Sequence, residues 1–295
     1  MNILEEEASI SNQSNILLDN NNSLVVVPID SFSSNIDKKD IYSQENIFIY
    51  FQNQSLTKEL QKSLFGLSKD NINNIINKLR GKFREIIKNK NGNYFFSDLI
   101  RVCNKDQRLI IIKEISDKIS EDCNNEYATH SIQNLIDLAS NEEEFKLLLS
   151  SFNDFNKIIM ASMNKYGTHV IQKIIAQIPE EMRKEFNLMF VKFICLLSRD
   201  AFGVLAVKKF INYSKNKIII NQFINSILCN FINICENQYG NYLIQYLLEI
   251  WWDKNEGNIL KYIIQSKFQI LLKNEYSCHI CELFIKLSNK SITNE

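Results

Sequence analysis

The sequence has little glycine, proline or histidine for its length. Its 295 residues include 7 glycines, 2 prolines and 3 histidines, and 45% of all residues are hydrophobic. Glycine and proline are the strongest signals for turns and loops, so their scarcity favours helices joined by short turns. No apolar run approaches the roughly 20 residues that cross a bilayer, so we expect no membrane association.

Charge and cysteine pattern restrict the possible functions further. The formal net charge is +0 and no long basic run occurs, which argues against binding driven mainly by phosphate neutralisation. The seven cysteines are odd in number and scattered, which is typical of a reducing compartment. The acidic residues Glu5, Glu6 and Glu7 are opposite in charge to an export signal, so we expect no signal peptide and a cytoplasmic location.

The first part of the chain differs in composition from the remainder. Residues 1–45 are rich in Asn, Ser and acids, and only the segment 23–28 is apolar. Such a segment cannot bury enough apolar surface to offset the entropy of ordering. We predict a mostly disordered tail over 1–45 and an ordered domain over 46–295, with the valine run either starting that domain or serving as a docking segment.

The predicted domain contains a repeated window. Three windows place a histidine three residues before Gln or Glu: 127–133, 166–172 and 276–282. Two windows carry the pattern without histidine, 239–245 and 92–97, and a degenerate copy lies at 202–208. Position 1 of each window follows a small residue, and its occupants, spaced by 36 to 39 residues, are Asn93, Thr129, Thr168, Val204, Asn241 and Cys278. A fainter copy places Thr57 at position 1 and Gln61 at position 5.

Each window has the apolar spacing of a helix with one buried face. Positions 3, 4, 7 and 8 are mostly apolar, which directs one stripe to a core, while positions 1 and 5 are neighbours on another face. Apolar stretches at 145–152 and 218–231 predict further helices. One such unit cannot bury its own apolar face, so neighbouring units must stack. The sequence predicts an all-α protein, an α-solenoid of stacked repeats of about 37 residues.

The residues just before position 1 also recur. Four glycines immediately precede it, which predicts a close backbone approach or a turn into the helix; they are Gly92, Gly167, Gly203 and Gly240. An aromatic residue stands two places before position 1 in five windows, and we expect these side chains in the core; they are Tyr127, Tyr166, Phe202, Tyr239 and Tyr276.

The windows 240–245 and 167–172, at this period, resemble the repeats of the Pumilio (PUF) family over about residues 46–295. The resemblance implies a curved superhelix that binds single-stranded RNA, with one base contacted per repeat by two or three side chains. It implies no enzymatic activity and no cofactor. The order of the windows resembles repeats one to seven of an eight-repeat protein, so we expect the eighth repeat to be absent from this chain.

The resemblance assigns positions 1 and 5 to the edge of the base. A side-chain amide offers a donor and an acceptor in one plane, which suits the edge of an unpaired base. The predicted edge residues are Asn93, Ser97, Thr129, Gln133, Thr168, Gln172, Asn241, Gln245, Cys278 and Glu282. Asn with Gln resembles a uracil pair, a small residue with Gln an adenine pair, and Ser with Glu a guanine pair, which Cys278 with Glu282 suggests here. Because the family's RNA runs antiparallel to the protein, the expected core is 5′-(U)GUnAA, with only a weak uracil preference at Asn93.

Position 2 carries flat side chains that can stack between successive bases, which contributes ~1–3 kcal/mol per base. The predicted stacking residues are Tyr94, His130, His169, Tyr242 and His279. The degenerate copy at Val204 has no comparable side chains for the edge of a base, and we expect Lys208 to reach a phosphate there. Lys173 and Lys209 are further candidates for contacts with the RNA backbone.

Three functions remain open from the sequence. The first is sequence-specific binding of mRNA 3′ untranslated regions by a monomer that represses translation, together with translational repressor or deadenylase proteins. The second is a PUF-like ribosome-assembly factor with little base preference, which the weak copies at Thr57 and Val204 favour. The third is a helical scaffold without RNA, which gives no reason for recurring amides at position 5.

Catalysis and metal binding are not expected. The three histidines belong to separate repeats, so none is placed to form a catalytic triad with a nucleophile, and no glycine loop for phosphate is present. Cys278, His279 and Cys281 lie close in sequence, but a structural zinc takes four ligands and no second pair stands at motif spacing.

Overall fold

The computed structural model describes residues 14–18, 24–28 and 41–293. Strands β1 (Ser14–Leu18) and β2 (Leu24–Pro28) form an antiparallel hairpin with Ser14 opposite Pro28 and Leu18 opposite Leu24. The other residues up to 40 of the predicted tail lie outside the described residues. The tail boundary at residue 45 stays a prediction, and the first described helix begins at Gln44.

Helices make up about three quarters of the described chain from residue 41 onward, with a short 3₁₀ turn at Ser116–Lys118. They are α1 (Gln44–Tyr50), α2 (Gln54–Leu64), α3 (Lys69–Leu79), α4 (Phe83–Lys88), α5 (Gly92–Val102), α6 (Lys105–Ile115), α7 (Ile119–Asp122), α8 (Ala128–Leu138), α9 (Glu142–Ser150), α10 (Phe155–Ser162), α11 (Gly167–Gln177), α12 (Lys184–Lys192), α13 (Ile194–Leu197), α14 (Gly203–Tyr213), α15 (Lys217–Cys229), α16 (Phe231–Cys235), α17 (Gly240–Trp251), α18 (Asn255–Leu271) and α19 (Cys278–Thr293). Within the described segments, no helix has both the length and the apolar character that crossing a bilayer needs.

Seven of these helices, which we call the repeat helices, carry the windows found in the sequence. They pack against one another in chain order, each against the next; they are α2, α5, α8, α11, α14, α17 and α19. Short helices precede several of them and pack on them, as α10 does on α11 and α16 on α17. The predicted α-solenoid is therefore confirmed, and the faint copy at Thr57 is a genuine member of the series.

The apolar stripe of each repeat helix faces a continuous core. Val170, Ile171, Ile174 and Ile175 of α11 are all 0% exposed, as are the equivalent residues of α17. Burying a side chain of this size contributes about 1.5–3 kcal/mol. Since each stripe is covered by neighbouring repeats, stacking supplies the stability that one repeat lacks.

Two predicted helical stretches have different bounds in the structure. The helix expected over residues 145–152 ends at Ser150, and Phe152 packs in the core beyond it. The stretch 218–231 is divided at Asn230, because α15 ends at Cys229 and α16 begins at Phe231. In both stretches the apolar pattern of the sequence continues past the residue at which the helix ends, so the pattern alone did not indicate the boundary.

A recurring Asn or Asp sets the start of each of the last six repeat helices. It stands four residues before position 1, and its side-chain oxygen accepts from two backbone N–H groups, those of the residues two and one before position 1, at 2.8 to 3.2 Å. These bonds satisfy amides that a helix start leaves without partners. The residues are Asn89, Asn125, Asn164, Asp200, Asn237 and Asn274.

The glycines before position 1 meet the backbone of the preceding helix. A Cβ on Gly240 would lie 2.3 Å from the Ile234 carbonyl oxygen, and one on Gly203 would lie 2.5 Å from that of Leu197. Neither glycine has a positive φ, so close approach and not backbone conformation explains them. The predicted close approach is confirmed. Ser277 takes the same place in the last repeat, and its hydroxyl donates to the Leu271 carbonyl at 2.6 Å.

The expectation that the preceding aromatics fill the core was largely wrong. Tyr127, Tyr166, Phe202, Tyr239 and Tyr276 are all only half-buried, and of these only Tyr239 packs against the core. The Tyr166 hydroxyl donates to Glu126, and Lys165 lies 4.6 Å from the Tyr166 ring centroid. These residues lie in the Asx-capped turn, outside the helical periodicity that directs side chains inward.

Candidate nucleic-acid interface

The side chains at position 2 of the repeat helices are exposed. Tyr94 is 59% exposed and Tyr242 57%, and the three histidines, His130, His169 and His279, are exposed as well. Position 2 lies off the apolar stripe, so these flat groups point away from the core. All five predicted stacking residues are thus accessible, on five of the seven repeat helices.

Most side chains at position 1 are buried and hold the turn before the helix. Asn93 and Asn241 each donate from Nδ2 to two carbonyls of that turn, at 2.7 to 3.0 Å. Thr129 and Thr168 instead donate from Oγ1 to a carbonyl of the following repeat, that of Tyr166 at 3.0 Å and that of Phe202 at 3.1 Å. The type of residue at position 1 is therefore also fixed by backbone groups that need a donor.

The amides at position 5 bond to their own position 1. Gln133 Nε2 lies 3.1 Å from Thr129 Oγ1, Gln172 Nε2 lies 3.3 Å from Thr168 Oγ1, and Gln245 Nε2 lies 2.8 Å from Asn241 Oδ1. Among the residues that the structure describes, the Oε1 atoms of these glutamines accept no hydrogen bond. Each of the three pairs therefore presents a half-buried amide with an acceptor still available, held in place by its neighbour one turn earlier.

The last repeat presents a thiol, an imidazole and a carboxylate. Cys278 Sγ donates to the Glu275 carbonyl at 3.3 Å, and His279 Nδ1 lies 3.4 Å from Glu282 Oε2. The ligand atoms of Cys278, His279 and Glu282 lie within 4.8 Å of one another, so these three could approach a metal ion. Cys281 is 0% exposed, and burial raises the pKa of its thiol to about 11; it faces away from this group.

A cleft lies between the last two repeat helices, α17 and α19. Tyr242 and His279 line it together with Gln245 and Glu282, and Leu283 and Lys286 complete the lining. It thus brings together two successive position-2 side chains and two successive position-5 side chains. Lys286 was not among the predicted site residues, although it lies eight residues after Cys278, two turns along the same face of α19.

The three lysines predicted to contact the RNA backbone have partners within the protein. Lys173 Nζ lies 2.8 Å from Asp137 Oδ2, and Lys209 Nζ lies 4.8 Å from the Tyr213 ring centroid. Lys208 Nζ lies 5.2 Å from the Tyr246 ring centroid, and desolvation lowers the pKa of Lys208. Their contact with phosphate stays a prediction.

The second repeat differs from the three glutamine repeats at position 5. Ser97 is 7% exposed; its hydroxyl donates to the Asn93 carbonyl at 2.9 Å and accepts from Asn134 Nδ2 at 2.9 Å. In the degenerate copy, Val204 at position 1 is buried, Leu205 at position 2 is 42% exposed, and Lys208 at position 5 is half-buried. The predicted edge residues are thus brought to one surface but are not equally accessible.

Fold and surface together define a class of protein, an α-solenoid whose repeat helices present an exposed side chain at position 2, beside a polar pair in every repeat helix except α14. A family model described as the Pumilio-family RNA binding repeat matches residues 82–116, 157–185 and 230–250. These matched repeats, together with the curated Pumilio homologues and the solved PUF structures, support a Pumilio (PUF) RNA-binding repeat protein, and proteins of that family are not enzymes.

Known proteins agree with this assignment. Pumilio homolog 12 of Arabidopsis thaliana is 24% identical over 247 residues, covering 82% of this chain and 41% of the relative; the chain thus spans about two fifths of that protein. The RNA-binding domain of yeast Puf5p bound to AAT2 RNA is 23% identical with a TM-score of 0.75, covering 89% of this chain and 73% of the other. The Puf4 RNA-binding domain, bound to a 3′ UTR recognition sequence of HO endonuclease RNA, is 18% identical with a TM-score of 0.75, covering 81% and 74%.

Proposed function

We propose that this protein binds single-stranded RNA in a sequence-specific manner, with one base contacted by each of its repeat helices. The observation that carries the proposal is the cleft between Tyr242 and His279, which has Gln245 and Glu282 along it. A base inserted there would stack on flat side chains and meet polar groups at its edge. Stacking contributes ~1–3 kcal/mol per base, and the edge contacts would select the base.

The polar groups suit the predicted bases. Gln245 has a free Oε1 acceptor and, beyond its bond to Asn241, a second Nε2 hydrogen; uracil offers one N–H donor between two carbonyl acceptors. The Glu282 carboxylate, 72% exposed, can accept two hydrogen bonds in parallel, which suits the two adjacent donors on the edge of guanine. This match between the hydrogen-bonding groups of Glu282 and guanine and those of Gln245 and uracil supports G followed by U at the 5′ side of the core 5′-(U)GUnAA.

The adenine assignments have comparable support in the middle of the chain. Thr129 with Gln133 and Thr168 with Gln172 form like pairs beside exposed histidines. Between them and Asn241, the Val204 copy offers no amide or carboxylate, which supports an unspecified base at that point. From the last repeat back to that of Thr129, the order of repeats with and without a selective polar pair thus matches the order of bases in 5′-GUnAA.

The biological setting follows from the same proposal. Two similar solved domains were determined with bound RNA, one of them with a 3′ UTR recognition sequence. We therefore infer that mRNA 3′ untranslated regions are the targets here, that the outcome is post-transcriptional repression through repressor or deadenylase proteins, and that the protein acts as a monomer in the cytoplasm.

Selection from a random pool of RNA with the purified protein tests this proposal. The expected result is enrichment of GU followed, after one unspecified base, by AA. Equal affinity for scrambled RNAs, with binding that falls steeply as salt rises, would instead support an assembly factor that contacts RNA through its backbone. No binding to any RNA would support a protein scaffold.

A further inference from the structure

The side chain at position 6 of several repeat helices reaches back to the preceding repeat. Asp98 accepts a hydrogen bond from Gln61, and Asn134 donates to Ser97. In later repeats Lys173 pairs with Asp137, and the Tyr246 hydroxyl donates to Asn212. The first two contacts end on position 5, the predicted edge residue, whereas the last two end on position 9, one turn further along.

Gln61, the position-5 residue of the first repeat, is held by a carboxylate. Its Nε2 donates to Asp98 Oδ2, while Asp98 Oδ1 accepts from Arg101 at 2.9 Å. Asp98 is only 8% exposed, and hydrogen bonds to a charged group are stronger than those between neutral groups. This bond ties the Gln61 amide to the next repeat, whereas Gln172 bonds to Thr168 of its own helix, so a base that needs the amide placed as in Gln172 would have to displace it. Position 2 there is Lys58, which supplies no flat ring to offset the loss.

Ser97, the position-5 residue of the second repeat, has its only donor and one of its two acceptor lone pairs engaged. Its single O–H donates to the Asn93 carbonyl and its oxygen accepts from Asn134. The residue is also buried, with 7% of its surface exposed. A base next to Tyr94 could stack, but the hydroxyl has no donor left to distinguish one edge from another.

The three glutamine repeats that follow are arranged differently. Gln133, Gln172 and Gln245 bond to position 1 of their own helices. The next position-6 residues, Lys173, Lys209 and Leu283, make no hydrogen bond to these amides within the described part of the chain. Position 6 therefore separates repeats whose edge group is engaged from repeats whose edge group is accessible.

We propose that Asp98 and Asn134 close the first two repeats to base selection, so that sequence selectivity is confined to the repeats from Thr129 to Glu282. This inference rests on the proposed RNA binding. RNA can still pass over the first two repeats and stack on Tyr94, but any base is accepted there. Asp98 is a positioning residue that acts through Gln61 and does not itself contact RNA.

Binding of the full chain to short RNAs that extend the core at its 3′ end tests the proposal. All four bases are placed in turn opposite Gln61 and opposite Gln172, and dissociation constants are measured by fluorescence anisotropy. The wild-type protein should prefer A opposite Gln172 and differ by less than about twofold among bases opposite Gln61. A preference for A at both positions of equal strength would overturn the proposal.

Release of the amide provides the second arm. Asp98→Ala combined with Lys58→His should create about a fivefold preference for A opposite Gln61, since Thr57 and Gln61 then repeat the pair of Thr168 and Gln172; this corresponds to about 1 kcal/mol. Adding Gln61→Ala should abolish that preference. A released variant that binds the core normally and still accepts every base would overturn the proposal. If the wild-type protein binds no RNA, the proposed function itself fails, which the wild-type measurement on the core alone reveals.

Discussion

Replacing Gly240 with alanine tests how tightly the helix start is fixed. The new Cβ would lie 2.3 Å from the Ile234 carbonyl oxygen and 3.0 Å from Ile234 Cγ2, whereas a close carbon–oxygen contact is about 3.3 Å. The start of α17 must therefore move by about 1 Å against α16. Overpacking of this kind costs about 1–3 kcal/mol, and the lower backbone entropy of alanine in the unfolded chain offsets about 0.4–1 kcal/mol of it.

We expect a net loss of about 1–2 kcal/mol in the free energy of unfolding, measured by urea denaturation. The same substitution at Gly203, where the distance is 2.5 Å, and at Gly92, where it is 2.8 Å, should cost progressively less. Helix propensity alone predicts the opposite sign, since alanine is favoured over glycine by about 1 kcal/mol. An equal or higher stability of the Gly240→Ala variant would refute the argument from close approach.

Two further predictions concern the interface and the acid range. Tyr242→Ala should weaken RNA binding by about 5- to 100-fold through lost stacking, without changing the preferred base. As a control, Tyr262→Ala removes a tyrosine that is 74% exposed outside the repeat helices and should leave the affinity unchanged. A changed base preference in Tyr242→Ala would contradict the stacking role. Burial disfavours the Asp122 carboxylate, but Arg84 and Lys88 still hold the pKa of Asp122 below its ordinary value. The contribution of this ion pair to folding stability is therefore fully present above a pH of about 4 and is lost as the pH falls through the lower pKa of the folded state. Asp122→Asn should therefore flatten the loss of stability in acid, measured by denaturation between pH 6 and about pH 2, while Asn at exposed Asp117 should not.

Local patterns were sufficient to predict the repeat helices. The small residue before position 1 and the apolar stripe after it are both read within one turn or two, and α11 and α17 begin where the windows place them. The capping residues Asn125, Asn164 and Asn237 were equally visible in the sequence as a recurring amide four residues before position 1. Helical periodicity does not reveal them, because they lie in the turn before each helix and outside the apolar stripe.

The contacts between repeats could not be predicted in this way. Whether position 6 reaches position 5 or position 9 of the preceding helix depends on side-chain length and on the rotation between neighbouring helices. Asp98 and Lys173 occupy the same position and differ in both partner and consequence. Sequence spacing gives the order of the repeats but not this rotation, so the engaged state of Gln61 and Ser97 emerged only from the structure.

The central claim is that positions 1 and 5 select the base at each accessible repeat. It is tested most directly by replacing Asn241 with Ser and Gln245 with Glu, and measuring dissociation constants for RNAs with U or G opposite this repeat. A carboxylate accepts but does not donate, so we expect the preference to move from U to G by about tenfold or more. Binding that persists with U still preferred would contradict it.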